Sequence, residues 1–442
     1  MIVHSGPMIR YGFLLALLIL LANCRDDDRM QTVISDGLVR LTYWPAANPR
    51  EIELATELVD RWNQQNSQIQ VQMQPLPASQ SSEEVLLAAI AAGTTPDVCS
   101  NIQPGGIDDF ILAGGLVRLD TFPDFWSFLE DRVPLDLLYS FQSPDGGYYQ
   151  LPWKTNPIMV LYNKTIFRKR GVEVPLLRYG DYLQAAEKIV VDNDGDGQVD
   201  YWMMYRDTKP IWWQRLFDFL PLYIAASGGQ TLFRGADIVF DSPAAMQVFE
   251  FLQIMYKRGY VPITQFQGDQ FLAGRLATQI TGPWMISYIE NFKQPGFEYG
   301  VMPLPVPDNY EGPFYTYGDP KNISIFKTTR HPKEAWRFIK ALVSREADLR
   351  LLEICSQIPI RKNLTDDPLY QDYFSQNPLM VTFAAQAPYT RGADGISDFK
   401  EIMDGISQEY EACVLYQRKS PARAVADAVR RARVIMEWNQ AR

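Results

Sequence analysis

Histidine is almost missing from this chain. Only His4 and His331 occur in 442 residues, the first in an apolar N-terminal stretch and the second in a polar turn before a helix. That scarcity removes histidine-built metal centres and Ser-His-Asp machinery from consideration. Cysteine is also sparse, with Cys24, Cys99, Cys355 and Cys413 far apart and no CxxC pair. An excess of basic charge is lacking: 42 Lys and Arg face 52 Asp and Glu, a net charge of −10. A nucleic-acid partner is excluded on that ground, since a phosphate backbone recruits clustered cations. GxSxG, HExxH and GxxxxGK[ST] are all missing. A glycoside-active enzyme needs only two converging carboxylates, so it stays open as a remote alternative.

Aromatic residues are plentiful instead, with 23 Tyr, 23 Phe and 10 Trp. Many must build a core, and the surplus of Trp and Tyr suits a site that stacks on flat, weakly polar ligands. A chain of this length has room for two or three well-buried domains. No internal repeat or low-complexity linker divides it.

The N-terminus has its own pattern. Arg10 precedes YGFLLALLILLAN, and Cys24 and RDDDR follow. A basic residue and an apolar run too short to span a bilayer describe a signal peptide over residues 1–23, with Met8 an alternative start. Cys24 resembles the acylated cysteine of a bacterial lipoprotein, which makes residues 24–37 a lipid-anchored linker. The alternative is a plain signal peptide with an incidental cysteine. Cys99, Cys355 and Cys413 sit among apolar residues, so buried thiols are expected, with one disulfide as the other reading.

From residue 38 strands and helices alternate. LVRLTYW is β-rich, and PREIELATELVDRWNQQN places Ile52, Leu54, Ala55, Leu58, Val59 and Trp62 at helical spacing. IQVQMQPLP alternates as a strand. SSEEVLLAAIAAG is a helix capped by Ser81 or Ser82 and stopped at Gly93, and TPDVCSNI is a third strand. This succession predicts an α/β fold with parallel strands and helical crossovers. Ligands in such sheets bind beyond the carboxyl ends of strands, here Trp44 to Asn48 and Asn101 to Gly106.

In DNDGDGQVD, residues 192–200, Asp192, Asp194 and Asp196 take the first, third and fifth places of a calcium loop. Gln198 would offer a backbone carbonyl and Asp200 the ninth place. Met203 stands where a bidentate Glu belongs, so the loop is a modest structural Ca2+ site or a solvated polar turn.

Taken in order, LTYWPAANPREIELATELVDRWNQQNSQIQVQM, AAIAAGTTPDV, AGGLVRLD, YYQLPWKTNPIMVLYNKTIF, FLAGRLATQITGPWM, YGVMPLP, HPKEAWRFIKALVS and IPIRKN form a recognisable series. The chain resembles the bacterial extracellular solute-binding proteins of the sugar-binding group that includes the maltose-binding proteins. These are the capture subunits of ABC importers. The resemblance implies a two-lobed periplasmic-binding-protein fold of type II, each lobe a mainly parallel sheet flanked by helices, with a ligand cleft and hinge between. Residues 38–150 and 304–348 would form lobe 1, and residues 151–303 and 349–442 lobe 2. Crossings are expected near Gln150 to Asn156 and near Pro303 to Pro307.

It further implies a monomer, held outside the cytoplasm by its lipid anchor. The protein would close on a carbohydrate and hand it to permease subunits, without chemistry and without a required cofactor. A sensor-linked binder is the variant reading. Trp284 in TGPWM matches a tryptophan that similar proteins stack on a sugar ring; the alternative is a core residue. Trp44, Asn48, Asn101 and Gln103 are ligand candidates from lobe 1. Trp153 and Asn156 are candidates at the crossover, where Asn156 replaces a carboxylate of the maltose-binding proteins. Tyr317, Gly318, Arg361 and Tyr389 complete the set, with Trp212 and its neighbour Trp213 split between core and cleft. A mono- or oligosaccharide fits best. A polyol, glycerol phosphate or another small solute is the alternative; an anion would want a denser basic cluster, a point that Lys154, Arg206, Lys209 and Arg361 leave open.

Overall fold

The computed structural model describes residues 37–77, 81–139, 141–192, 194–209, 211–234, 237–394, 396 and 398–440. The signal peptide, Cys24 and nearly all of the linker lie outside them. Strands β1 (Val39–Trp44), β2 (Ile69–Met73), β3 (Val98–Ile102), β4 (Leu151–Thr155) and β5 (Met159–Asn163) open the chain. A small hairpin pairs β6 (Phe233–Arg234) with β7 (Asp237–Ile238). The remaining strands are β8 (Thr278–Thr281), β9 (Tyr299–Met302), β10 (Thr316–Tyr317), β11 (Lys321–Ile325), β12 (Ile358–Pro359) and β13 (Thr390–Arg391). Six helices matter below: α1 (Pro49–Gln65), α2 (Ser82–Ala92), α3 (Ile107–Leu112), α4 (Trp284–Phe292), α5 (Phe399–Tyr410) and α6 (Pro421–Gln440).

Lobe 1 is built on a six-stranded sheet in the order β12-β4-β11-β3-β1-β2. β1 pairs in parallel with β2 and β3, joined through α1 and α2 as the alternating pattern requires. Leu41, Tyr43, Leu151, Trp153, Ile323 and Ile325 pack into a core on one face. Cys99, Ile102 and Phe110 belong to a second cluster with Leu76 and Leu86. Both termini of α1 and α2 behave as their sequences dictate. Asn48 caps α1 by accepting from Glu51 N at 2.9 Å, and Ser81 caps α2 by accepting from Glu84 N at 3.2 Å. Gly93 ends α2 at φ 66°, a conformation that costs a glycine nothing.

Lobe 2 has a three-stranded sheet, β8-β5-β9. Period-two burial divides β5 cleanly: Val160 joins the large core under α5 and α6, while Met159 and Leu161 face Phe271, Ile286 and Tyr370.

Four expectations need correction. The sheets are less parallel than expected, because β11 and β12 run antiparallel to their neighbours and both pairings of β5 are antiparallel. Apolar periodicity reports which face of a strand is buried and carries no information on its direction. The first crossing starts after Thr155, since β4 belongs to the lobe 1 sheet. The second does not fall at Pro303 to Pro307. That stretch stays in lobe 2, where Val306 N donates to Leu177 O (3.0 Å) and Tyr179 N to Val306 O (2.9 Å). Proline marks an extended break there without marking a change of lobe. The crossing comes at Tyr317 to Lys321 instead. Finally, lobe 1 does not end at residue 348, because Ala347, Leu351, Ile354 and Cys355 enter its core and β12 its sheet.

All three later cysteines are buried free thiols. Burial pushes the Cys99 and Cys413 thiols up to about 12. Among the described residues no helix is long and apolar enough to cross a membrane.

Candidate functional site

The two crossings are laced together at the floor between the lobes. Asn156 N and Thr155 Oγ1 both donate to Gly318 O, Ile158 N donates to Tyr317 O at 2.9 Å, and Gly318 N donates to Arg391 O at 2.9 Å. Gly318 permits this crowding: a methyl there would stand 2.6 Å from Thr155 Oγ1 and 2.8 Å from Thr390 Cβ. Asn156 is buried at 2% exposure, and its Oδ1 has no hydrogen-bond partner among the described residues.

Next to this lacing stands a charged group that sequence reasoning passed over. Asp319, held at φ 36°, accepts from Tyr317 Oη (3.2 Å) and pairs with Lys321 Nζ (2.8 Å). Burial raises the carboxyl pKa of Glu83 at the start of α2, opposed by the Lys321 charge and reinforced by Asp319. The signal for Asp319 was present in YGDP, where glycine and proline bracket an acid. Glu83 looked only like a helix-dipole partner in SSEE.

On the lobe 1 side, Trp44 is half-buried at the end of β1, packed against the second core cluster. Asn101 Nδ2 donates to Ser82 Oγ at 2.7 Å. Gln103 is half-buried before the turn Pro104–Gly106. Asn48 is occupied with Glu51, which takes its Nδ2 at 3.1 Å.

On the lobe 2 side, Trp284 begins α4 immediately after β8. Its ring lies against Gly282, where a methyl would come within 2.0 Å of it, and it meets Phe217 edge-on at 6.1 Å. Trp212 packs edge-on to Phe399 and is buried, while Trp213 is 43% exposed. Tyr389 is exposed beside Tyr315.

Two expected ligand residues have other work here. Trp153 is 3% exposed within the lobe 1 core, with Lys154 Nζ 4.0 Å over its ring. Arg361 Nε donates to Asp348 Oδ2 (2.7 Å) and its Nη2 to Val343 O (3.0 Å). Arg361 is a ligand candidate through the resemblance of IPIR to the family's arginine near the site; its partner, a buried acid thirteen residues earlier, carries no sequence signature.

Away from the floor, the carboxylates of Asp192, Asp194 and Asp196 bring one oxygen each within 4.8 Å of the others. Asp192 also accepts from Gly195 N (2.7 Å) and Gly197 N (2.8 Å), which holds its carboxyl below the usual carboxylate range. Gln198 N donates to Asp196 Oδ1 at 2.8 Å. Asp200, expected in the ninth place, instead pairs with Arg170 at 3.0 Å.

The family model for bacterial extracellular solute-binding proteins matches residues 46–348. The chain belongs to this family. Family membership places the protein outside the cytoplasm and makes it a binder of solutes, with the two-lobed fold seen here. Among its relatives is a maltotriose-binding protein of Pyrococcus abyssi, 24% identical over 75% of this chain and 69% of the relative. An sn-glycerol-3-phosphate-binding periplasmic protein of Agrobacterium fabrum is 20% identical over 88% and 90%. The crystal structure of a cyclic alpha-maltosyl-1,6-maltose binding protein from Arthrobacter globiformis superposes with a TM-score of 0.76 at 19% identity. It covers 90% of this solute-binding protein and 99% of its own chain.

Proposed function

We propose that this solute-binding protein captures a neutral mono- or oligosaccharide between its lobes and delivers it to the permease subunits of an ABC importer. Binding is its whole task, and no bond of the sugar is broken. The observation that carries the reading is Trp284. Gly282 leaves room for its indole at the carboxyl end of β8, where the side chain is half-buried, and an indole is the kind of apolar surface that sugar C–H groups pack on. Relatives that bind maltotriose and arabino-oligosaccharide support it. The glycerol-phosphate relatives favour an anion, but two lysines near the floor already hold acids: Lys321 holds Asp319 and Lys154 holds Glu51. Acylation of Cys24 would tether a single copy to the membrane, with two lipid signals giving stable anchoring.

A thermal-shift screen across neutral oligosaccharides, polyols and phosphorylated polyols tests the reading. A neutral saccharide is expected to raise the melting temperature, without turnover on prolonged incubation. Trp284→Ala is expected to weaken that saccharide about 30-fold, the equivalent of roughly 2 kcal/mol for a truncated aromatic anchor. No shift with any carbohydrate ends the proposal.

The acidic loop takes a supporting part in the same proposal. Asp192, Asp194 and Asp196 supply oxygen ligands of the type Ca2+ prefers, and the pairing of Asp200 with Arg170 leaves the set short, so affinity should be modest. Millimolar calcium is expected to raise the melting temperature and EDTA to lower it. Asp196→Ala should abolish both effects and leave sugar affinity intact. A melting temperature indifferent to calcium and chelator alike removes the ion.

A further inference from the structure

The lobes touch, and at the point of contact the chain offers no side chain. A methyl at Gly105 would stand 3.2 Å from Asp394 O, 3.6 Å from Ala393 Cβ and 3.8 Å from Phe399 Cδ1, all across the seam in lobe 2. Its backbone does not explain the choice of residue, since Gly105 is not one of the positive-φ glycines. Clearance does. Gly106 is confined in the same way from within lobe 1, a methyl there falling 3.1 Å from Glu83 Cγ.

Beside this bare contact, two acidic lips approach each other. Glu83, Glu84, Asp108 and Asp109 come from α2 and α3. Asp394, Asp398, Glu401 and Asp404 come from the segment entering α5 and from α5 itself. Asp109 feels the charges of Glu401 and Asp398 directly. Like charges at this range resist approach. Lys400 stands in the middle of them, bonded across the seam to Glu84 and close to Glu401 and Asp404. Its ammonium is the group that lets these lips meet.

We infer that closure of the lobes is set by a two-part latch, in which Gly105 gives the clearance for direct contact and Lys400 supplies the counter-charge bridging the acidic lips through Glu84. The inference rests on the two-lobed capture reading but not on the identity of the sugar.

The test is therefore made on the full chain without ligand, by small-angle scattering and by energy transfer between dyes on the two lobes, at 20 and 500 mM NaCl. Lys400→Glu is expected to lower the closed-to-open ratio three- to fivefold in low salt, the span of a half-exposed ion pair. High salt should narrow the difference, because the Debye length falls to a few ångströms. The exchange Glu84→Lys with Lys400→Glu restores a bridge and should recover most of the closed population, a result that mere damage to the fold does not give. Gly105→Val is expected to hold the lobes apart at both salt concentrations, and Gly105→Ala to do so weakly, with unchanged melting temperature as the control for folding. A wild type fully open under both conditions overturns the latch. So do variants whose ratios match the wild type, and so does a charge exchange that stays as open as Lys400→Glu. Failure of the sugar screen would leave these ratios untouched, so the two ideas fail separately.

Discussion

Lys154→Ala should lower the unfolding free energy by about 3–5 kcal/mol, the cost of orphaning one partner of a buried ion pair. Lys154 is fully buried in β4, with Nζ 2.8 Å from Glu51 Oε1, and Glu51 itself is 5% exposed. Glu51 also takes a bond from Asn48 and one from Gln357 Nε2 (3.2 Å). Burial alone would raise the Glu51 carboxyl pKa, yet the Lys154 charge and these bonds hold it below its ordinary value. Remove the ammonium, and the acid must either ionise unpaired in a dry site or take up a proton. Denaturant unfolding of wild type and variant measures the loss. The double variant Glu51→Leu, Lys154→Met should recover most of it, because a well-packed apolar pair carries no desolvation penalty. A single variant within about 1 kcal/mol of wild type, a surface-like value, would show that the pair is solvated.

Asp348→Ala should produce an effect of the same order, about 3–5 kcal/mol. Asp348 is fully buried between two guanidinium groups: Arg132 Nη1 at 2.5 Å and Arg361 Nε at 2.7 Å. Arg132 also donates to the carbonyls of Val343 (2.7 Å) and Trp153 (3.1 Å). One acid therefore balances two cations and ties together α-helical, strand and loop segments of lobe 1. Without it, two like charges remain in the interior. Equilibrium unfolding should show the loss, while the protein that stays folded should bind sugar normally. A loss of affinity without loss of stability would place Arg361 at the ligand as well as at Asp348.

Several parts of the molecule were legible in the sequence for stated reasons. Helical spacing from Ile52 to Trp62 and alternation through IQVQM gave α1 and β2, because burial on one face imposes those periods. The cap at Ser81 follows from the chemistry of its oxygen, whereas Asn48, legible only as a ligand group, caps α1. The tryptophan of TGPWM reads as a sugar-stacking residue or a core one, and Trp284 stands half-buried beside Gly282, packed on the lobe 2 core. What escaped detection was pairing at long range. Asp348 with Arg132 and Arg361, Glu51 with Lys154, and Glu84 with Lys400 join residues that no local pattern relates. Strand direction escaped for the same reason, as did the true crossing at Tyr317 to Lys321, where a short glycine-containing turn outweighs the conspicuous prolines of PLPVP.

The sheet of lobe 1 also constrains how the chain can be made. β1, β2 and β3 are complete by Ile102, but their neighbours β4, β11 and β12 are spread as far as Pro359. Until β11 has appeared at Ile325, β3 presents a bare edge, and until Gln357 has appeared the Glu51 carboxylate that pairs with Lys154 lacks one of its donors. Non-local pairing of this kind makes for slow folding. For a protein that works outside the cytoplasm, that delay would leave time for the chain to cross the membrane before its sheet is complete.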